Sequence, residues 1–167
     1  SINGIVDAVG LDRICELSGL SETRARELID YLSTHTDAIP NGDEELERLD
    51  YALASMAIET AVTRHAGSME ESYTVCGLNY VQTGKDLRDV KQIIVTGGSL
   101  IHTSRTCEIV SHALFDVTNP MSLRPKTAKI RVDRKYILAA MGLLSAHYPK
   151  IALKIMKEEL EKDGFEK

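Results

Sequence analysis

Apolar residues recur at helical spacing through the first third of the chain, at Leu11, Ile14, Cys15 and Leu17 and again at Ala25, Leu28, Ile29 and Leu32. This predicts two short helices over 7–18 and 21–34, separated at Gly19 and Leu20, with Ser21 as N-cap and Glu22 in the first turn of the second. Together they form a helical hairpin whose apolar positions are core, not ligand contacts. Pro40, Asn41 and Gly42 mark a loop over 35–43. A long helix follows from Glu44 to His65, with Gly67 as its stop. Its stripe of Leu46, Leu49, Leu53, Met56 and Ala57 is widened by Ala52, Ile58, Ala61 and Val62. From Ala52 onward the helix is therefore expected to be buried on most sides.

The period then changes from helical to extended. Residues 71–76 and 79–83 are short β-prone runs around Gly77, closed by Gly84, and predict an antiparallel hairpin. The run 91–96 places Ile93, Ile94 and Val95 in succession without alternation, which suits a strand covered on both faces. Gly97-Gly98-Ser99 follows at once, then a helical stretch through Cys107, Val110, Ala113 and Leu114. After a polar loop containing Pro120 and Pro125 comes a second strand, 129–132. Asp133 is placed to cap a helix over 134–147, and Pro149 suits the first turn of a last helix over 150–162. The order of elements predicts a mixed α/β domain with a partial sheet covered by helices. Four segments result: a helical hairpin and loop over 1–42, a long helix over 43–70, a β-hairpin over 71–84, and a strand-turn-helix subdomain over 91–167.

Composition narrows the classes. With 167 residues and 43% hydrophobic content, the chain can bury a core without disulfides or a structural metal, and 27% charged residues exclude a membrane-embedded or disordered chain. A net charge of -5, no Trp and only 5% aromatic residues argue against a nucleic-acid partner. Charge is unevenly placed, with 12 acids and 4 bases in residues 1–50 against 3 acids and 8 bases in residues 101–150. Cys15, Cys76 and Cys107 are odd in number and form no CxxC, which points to reduced thiols in the cytoplasm. The opening Ser1-Ile-Asn-Gly has neither the basic start nor the apolar stretch of a secretion signal. His102, Cys107 and His112 stand at five-residue steps, which on a helix spread around the axis instead of converging as zinc ligands.

The candidate chemistry lies at the turn. A strand delivering Gly97-Gly98-Ser99 to a helix start brings backbone amides outward where no Cβ holds a ligand off, a geometry suited to a nucleotide. Gly84-Lys85 is not a phosphate loop, because no glycine stands five residues earlier and no Ser or Thr follows. Farther on, Ala139, Ala140 and Gly142 permit close helix-on-sheet packing.

The run VTGGSLIHT, followed by KIRVD and YILAAMGLLSA, resembles the last part of the acetate and sugar kinase, heat-shock chaperone and actin ATPase superfamily. More specifically, VTRHAG at 62–67, YVQTGKDL at 80–87, VTGGSLIHT at 95–103, SLRPK at 122–126 and DRKYILAAMGLLS at 133–145 resemble the MutL (also GlmL) family. These are accessory proteins of methylaspartate (glutamate) mutase and related adenosylcobalamin-dependent mutases, and share only a name with the mismatch-repair protein. The resemblance implies the C-terminal portion of an actin-like, ribonuclease H-like fold that binds ATP, with Mg in the full-length protein. It assigns Gly97, Gly98 and Ser99 to the adenosine, with Thr96 and Leu100 beside them. Two positions depart from the superfamily. Tyr136 stands where chaperone members carry an acid, leaving Asp133 as an N-cap, and His102 replaces an adenine-stacking arginine for which Arg105 is a substitute.

The superfamily's acidic phosphate loops, D-x-G-x-[ST] and D-x-G-G, are not present, and Asp7-Ala-Val-Gly10 has the wrong spacing. Phosphoryl transfer depends on positioning and charge stabilisation, so no catalytic residue is assigned and the chain is expected to be a fragment of a longer protein, itself without ATPase activity. The leading expectation is the nucleotide-binding part of a reactivating or chaperone-like factor acting on mutase subunits. Alternatives are a small-molecule kinase of the same superfamily and an interaction module without ligand.

Overall fold

The computed structural model describes residues 2–35, Ala38, Pro40 and 42–162, so part of the loop predicted over 35–43 lies outside the described residues. Three helices, not two, open the chain: α1 (Ile2–Val9), α2 (Leu11–Ser18) and α3 (Glu22–Thr34). The predicted helix over 7–18 is broken at Gly10, whose φ of 82° interrupts the helical path, and Ile2, Ile5, Val6 and Val9 extend the apolar pattern upstream of it. Gly19 ends α2 in the left-handed region and donates its N–H to the Cys15 carbonyl at 2.8 Å. Ser21 caps α3 as expected, its Oγ accepting from the Arg24 amide at 3.3 Å.

The long helix α4 (Glu44–His65) is present with the predicted bounds. It starts where the Asp43 carboxylate accepts from the amides of Glu45 and Leu46, both at 3.1 Å. Leu49, Ala52 and Met56 of α4 meet Ile14, Ala25 and Leu28 in one buried cluster. Each fully buried side chain of this kind contributes roughly 1.5–3 kcal/mol relative to exposure. Burial on most sides does not continue past Met56. Ala57, Ile58 and Val62 are half-buried and Ala61 is exposed, because beyond the bundle this part of the helix borders a cleft and α6 (Thr106–Ser111) instead of a continuous core.

Strands β1 (Ser68–Thr74) and β2 (Gly77–Thr83) form the predicted antiparallel hairpin, with Glu71 opposite Tyr80 and Tyr73 opposite Leu78. Pairing starts at Ser68, three residues before the expected position, because residues 121–123 lie along the base: the Met69 amide donates to the Met121 carbonyl at 2.8 Å. Gly67 and Gly84 cross in contact there. A Cβ on Gly67 would stand 2.7 Å from the Gly84 carbonyl carbon and 2.8 Å from the Lys85 nitrogen, while the Gly67 carbonyl accepts from Leu123 at 2.8 Å.

The second sheet is a parallel pair, β3 (Gln92–Val95) and β4 (Lys129–Val132), with Ile93 opposite Ile130 and Val95 opposite Val132. Val95 and Val132 are buried, but Ile94 is 48% exposed, so the expectation of cover on both faces fails for that residue. With two strands only, the described residues cover one face of the pair. The helical stretch predicted after Gly98 is two short helices, α5 (Gly98–Ile101) and α6, parted at 102–105. Thr103 accepts the Arg105 amide at its Oγ1, and the buried Thr106 hydroxyl donates to the Leu100 carbonyl at 2.7 Å. These local bonds compete with a continuous helix.

The helix expected over 134–147 starts three residues later, as α7 (Ile137–Ser145), because Tyr136 before it takes a left-handed conformation; its first amides are still met by Asp133. Its two carboxylate oxygens accept from the amides of Ile137 at 2.9 Å and Leu138 at 3.1 Å, and its own amide continues the ladder to the Val95 carbonyl at 2.8 Å. The small residues of α7 do not make the close helix-on-sheet packing anticipated for them. Ala139, Ala140 and Gly142 are exposed, a Cβ on Gly142 would meet nothing within 4 Å, and the helix packs through its other face on α8 (Pro149–Lys162). Among the described residues no helix is long and apolar enough to cross a membrane.

Gly67→Ala is expected to cost about 2–3 kcal/mol, since the methyl meets backbone that cannot move alone, and to lower the unfolding midpoint by roughly 5–10 °C. Calorimetry checks this, and an unchanged midpoint would refute the described crossing.

Candidate functional site

The turn after β3 is built by one glycine's backbone and another's openness. Gly97 has φ 106° and ψ 144°, a combination available almost solely to glycine, and its carbonyl accepts from Leu100 at 3.1 Å and Ile101 at 3.0 Å to start α5. A Cβ there would meet nothing within 4 Å, so backbone conformation alone demands the glycine. Gly98 is different. Its φ is not positive, and a Cβ would stand 3.5 Å from the Tyr136 hydroxyl, an ordinary contact. Tyr136 itself is the one non-glycine residue at positive φ among the described residues, at φ 53° and ψ 35°. Tyr136 is thus held in a strained conformation beside the turn.

Next to the turn lies a cleft of about 430 Å³. One wall is α4, contributing Asp50, Leu53, Ala54, Ala57 and Ile58; α1 adds Ile2 and Ile5, and the end of α3 adds Leu32 and His35. Ser99 and Leu100 close it from the turn. Volume and mainly apolar walls with a few polar groups are those of a small-molecule site. Of the five residues predicted for the adenosine, the structure brings Ser99 and Leu100 to the cleft, while Thr96, Gly97 and Gly98 shape the turn and do not line it. The sequence reading missed Asp50, Ala54, Ala57 and Ile58. The signal for Ala57 and Ile58 was the over-wide stripe of α4, read as core. Asp50 is half-buried and makes no hydrogen bond or ion pair among the described residues, and burial pushes its carboxyl above the ordinary carboxylate range.

A family model described as MutL protein matches residues 1–160. The chain belongs to the MutL family. Over 132 residues, 79% of the chain, it is 40% identical to the protein named Protein MutL of Clostridium tetanomorphum. The chain spans 28% of that relative's length. No solved structure matches it.

Arg105, His112 and Arg124 of this MutL-family chain are engaged away from the cleft. Arg105, considered for adenine stacking, lies over the Tyr51 ring, 3.4 Å from its centroid, and donates to Glu108 at 2.9 and 2.7 Å. His102 is exposed at the end of α5, and His112 faces Glu59 at 3.6 Å. Arg124, within the SLRPK run and 2% exposed, donates to the His112 carbonyl at 3.2 Å and stands 4.0 Å from Asp116. All three cysteines are free. Among the described residues no three His, Cys, Asp or Glu side chains gather as a metal site.

Two outcomes follow from this geometry. Gly97→Ala should destabilise by about 1 kcal/mol or more, whereas Gly98→Ala, in a helix where the added methyl makes only an ordinary contact, should be neutral or slightly stabilising. Thermal melts of both check the assignment, and the reverse order would contradict it. Because folding raises the Asp50 pKa, its charged form costs stability above that raised value, and the cost fades as pH falls toward the unfolded carboxyl value near 4. Asp50→Asn should therefore stabilise the chain at neutral pH and lose that advantage below roughly pH 4. A pH series of melting midpoints, parallel for the two proteins, would contradict this.

Proposed function

We propose that this chain is the adenosine-binding portion of a reactivating or chaperone-like accessory protein for an adenosylcobalamin-dependent mutase, of the glutamate (methylaspartate) kind or a related aminomutase. The observation that carries the reading is the position of Ser99 and Leu100: the turn that resembles an adenosine motif borders a cleft of ligand size. Membership of the MutL family supports the mutase partner, and the resemblance of the turn and of the strand-helix order that follows supports an actin-like ATPase fold. The walls fit a nucleoside better than a whole nucleotide. None of the cleft's described lining residues is Lys or Arg, so the triphosphate and its Mg would be held by groups elsewhere in a longer protein. Bound ATP would supply a ligand-dependent change of state. This chain's own part is to bind and orient the adenosine and to exclude water from it.

The test is ATP affinity of the full-length protein with Ala57→Phe, which fills the cleft from its α4 wall. Binding should weaken tenfold to a hundredfold, about 1.4–3 kcal/mol, at an unchanged melting midpoint. Equal affinity in both proteins would remove the nucleotide from this cleft. In parallel, the full-length protein should restore an inactivated mutase only with ATP present, and restoration without it would contradict the ATP-dependent role.

A further inference from the structure

The cleft has apolar walls and one carboxyl that the fold leaves unused. Among the described residues Asp50 makes no hydrogen bond or ion pair, although it stands on the wall of a mainly apolar cavity where an unmatched polar group is costly. Burial already disfavours its charged form. Natural chains keep such a group where a ligand completes it.

What the ligand presents to Asp50 follows from the surface below it. Ala54 and Ala57 continue the same face of α4 one and two turns on, at helical spacing from Asp50, and both line the cavity. Two alanines form a low, flat strip on which a planar ring can lie, with one edge directed at the carboxyl. A carboxylate only accepts hydrogen bonds, and a protonated carboxyl still accepts at its carbonyl oxygen. When the carboxyl is charged, the ring edge facing Asp50 must carry an N–H donor. Ser99, across the cleft, can donate or accept.

We propose that Asp50 reads the base of a bound nucleotide, accepting a hydrogen bond from the 6-amino group of adenine and rejecting purines that carry a 6-oxo group there. A 6-oxo oxygen would face the carboxyl oxygens with no proton between them when the carboxyl is charged. This rests on the nucleotide reading given above and names the residue that gives it specificity.

The experiment measures affinity of the full-length protein for ATP and for ITP, which replaces the 6-amino group by 6-oxo, in wild type, Asp50→Asn and Asp50→Ala. Wild type should prefer ATP by at least about tenfold, the size of one discriminating hydrogen bond. Asp50→Asn places an amide donor on the wall and should move the ATP/ITP ratio toward ITP by about tenfold or more, and Asp50→Ala should bring it near one. A merely structural Asp50 would shift both affinities together. An ATP/ITP ratio unchanged in both variants, with binding retained, overturns the role of Asp50 and leaves the nucleotide reading standing. A wild-type protein that binds neither nucleotide overturns both.

Discussion

The packing of α4 against the three N-terminal helices is the interaction on which the other features depend. Leu49, Ala52 and Met56 fix the helix in the bundle, and the same rigid rod then carries its remaining length past the core. There it forms a cleft wall, meets α6, and hands the chain through Gly67 to the hairpin. A 22-residue helix spans about 33 Å, so one element can serve both as core and as ligand wall. Rigid placement matters for recognition, since side chains held on a packed helix lose little freedom when a ligand arrives.

The turn depends on the second half of the chain in a comparable way. Val95 and Val132 bury the parallel pair, the Asp133 amide lengthens it by one bond, and the Asp133 carboxylate starts α7. Asp133 is itself only 3% exposed, so strand register and helix position are set by one buried residue. The guanidinium of Arg134 reaches back to the Ile101 carbonyl at 2.9 Å and ties that connection to the end of α5. The apolar positions left outside, Ile94 at 48% and Leu143 at 80% exposure, are the other side of this arrangement. Parallel strands are normally covered on both faces, so their exposure is where the domain departs from the usual rule.

Strong local signals were legible in the sequence. Ser21 and Asp133 announced helix starts through side-chain chemistry, and the bounds of α4, β4 and nearly all of α8 followed from period. What failed was tertiary. Gly10 sits inside a helical pattern and could have been tolerated there, but takes a positive φ instead. Ile94 and the small residues of α7 have compositions that only neighbours can interpret. The candidate site was half legible. Gly97-Gly98-Ser99 is a contiguous motif, whereas Asp50, Ala54 and Ala57 reach the cleft only because α1, α3 and α4 pack as they do. An apolar residue lining a cavity and one filling a core look alike in sequence.

The central claim is that the turn and the middle of α4 are two sides of one nucleotide cleft. Hydrogen–deuterium exchange on the full-length protein, with and without ATP, tests it without a mutation. The account predicts that ATP slows exchange together in peptides covering 50–58 and 96–101, while peptides of the β1–β2 hairpin are unchanged. Protection elsewhere with both of these segments unaffected, at an ATP concentration that saturates the protein, would contradict it.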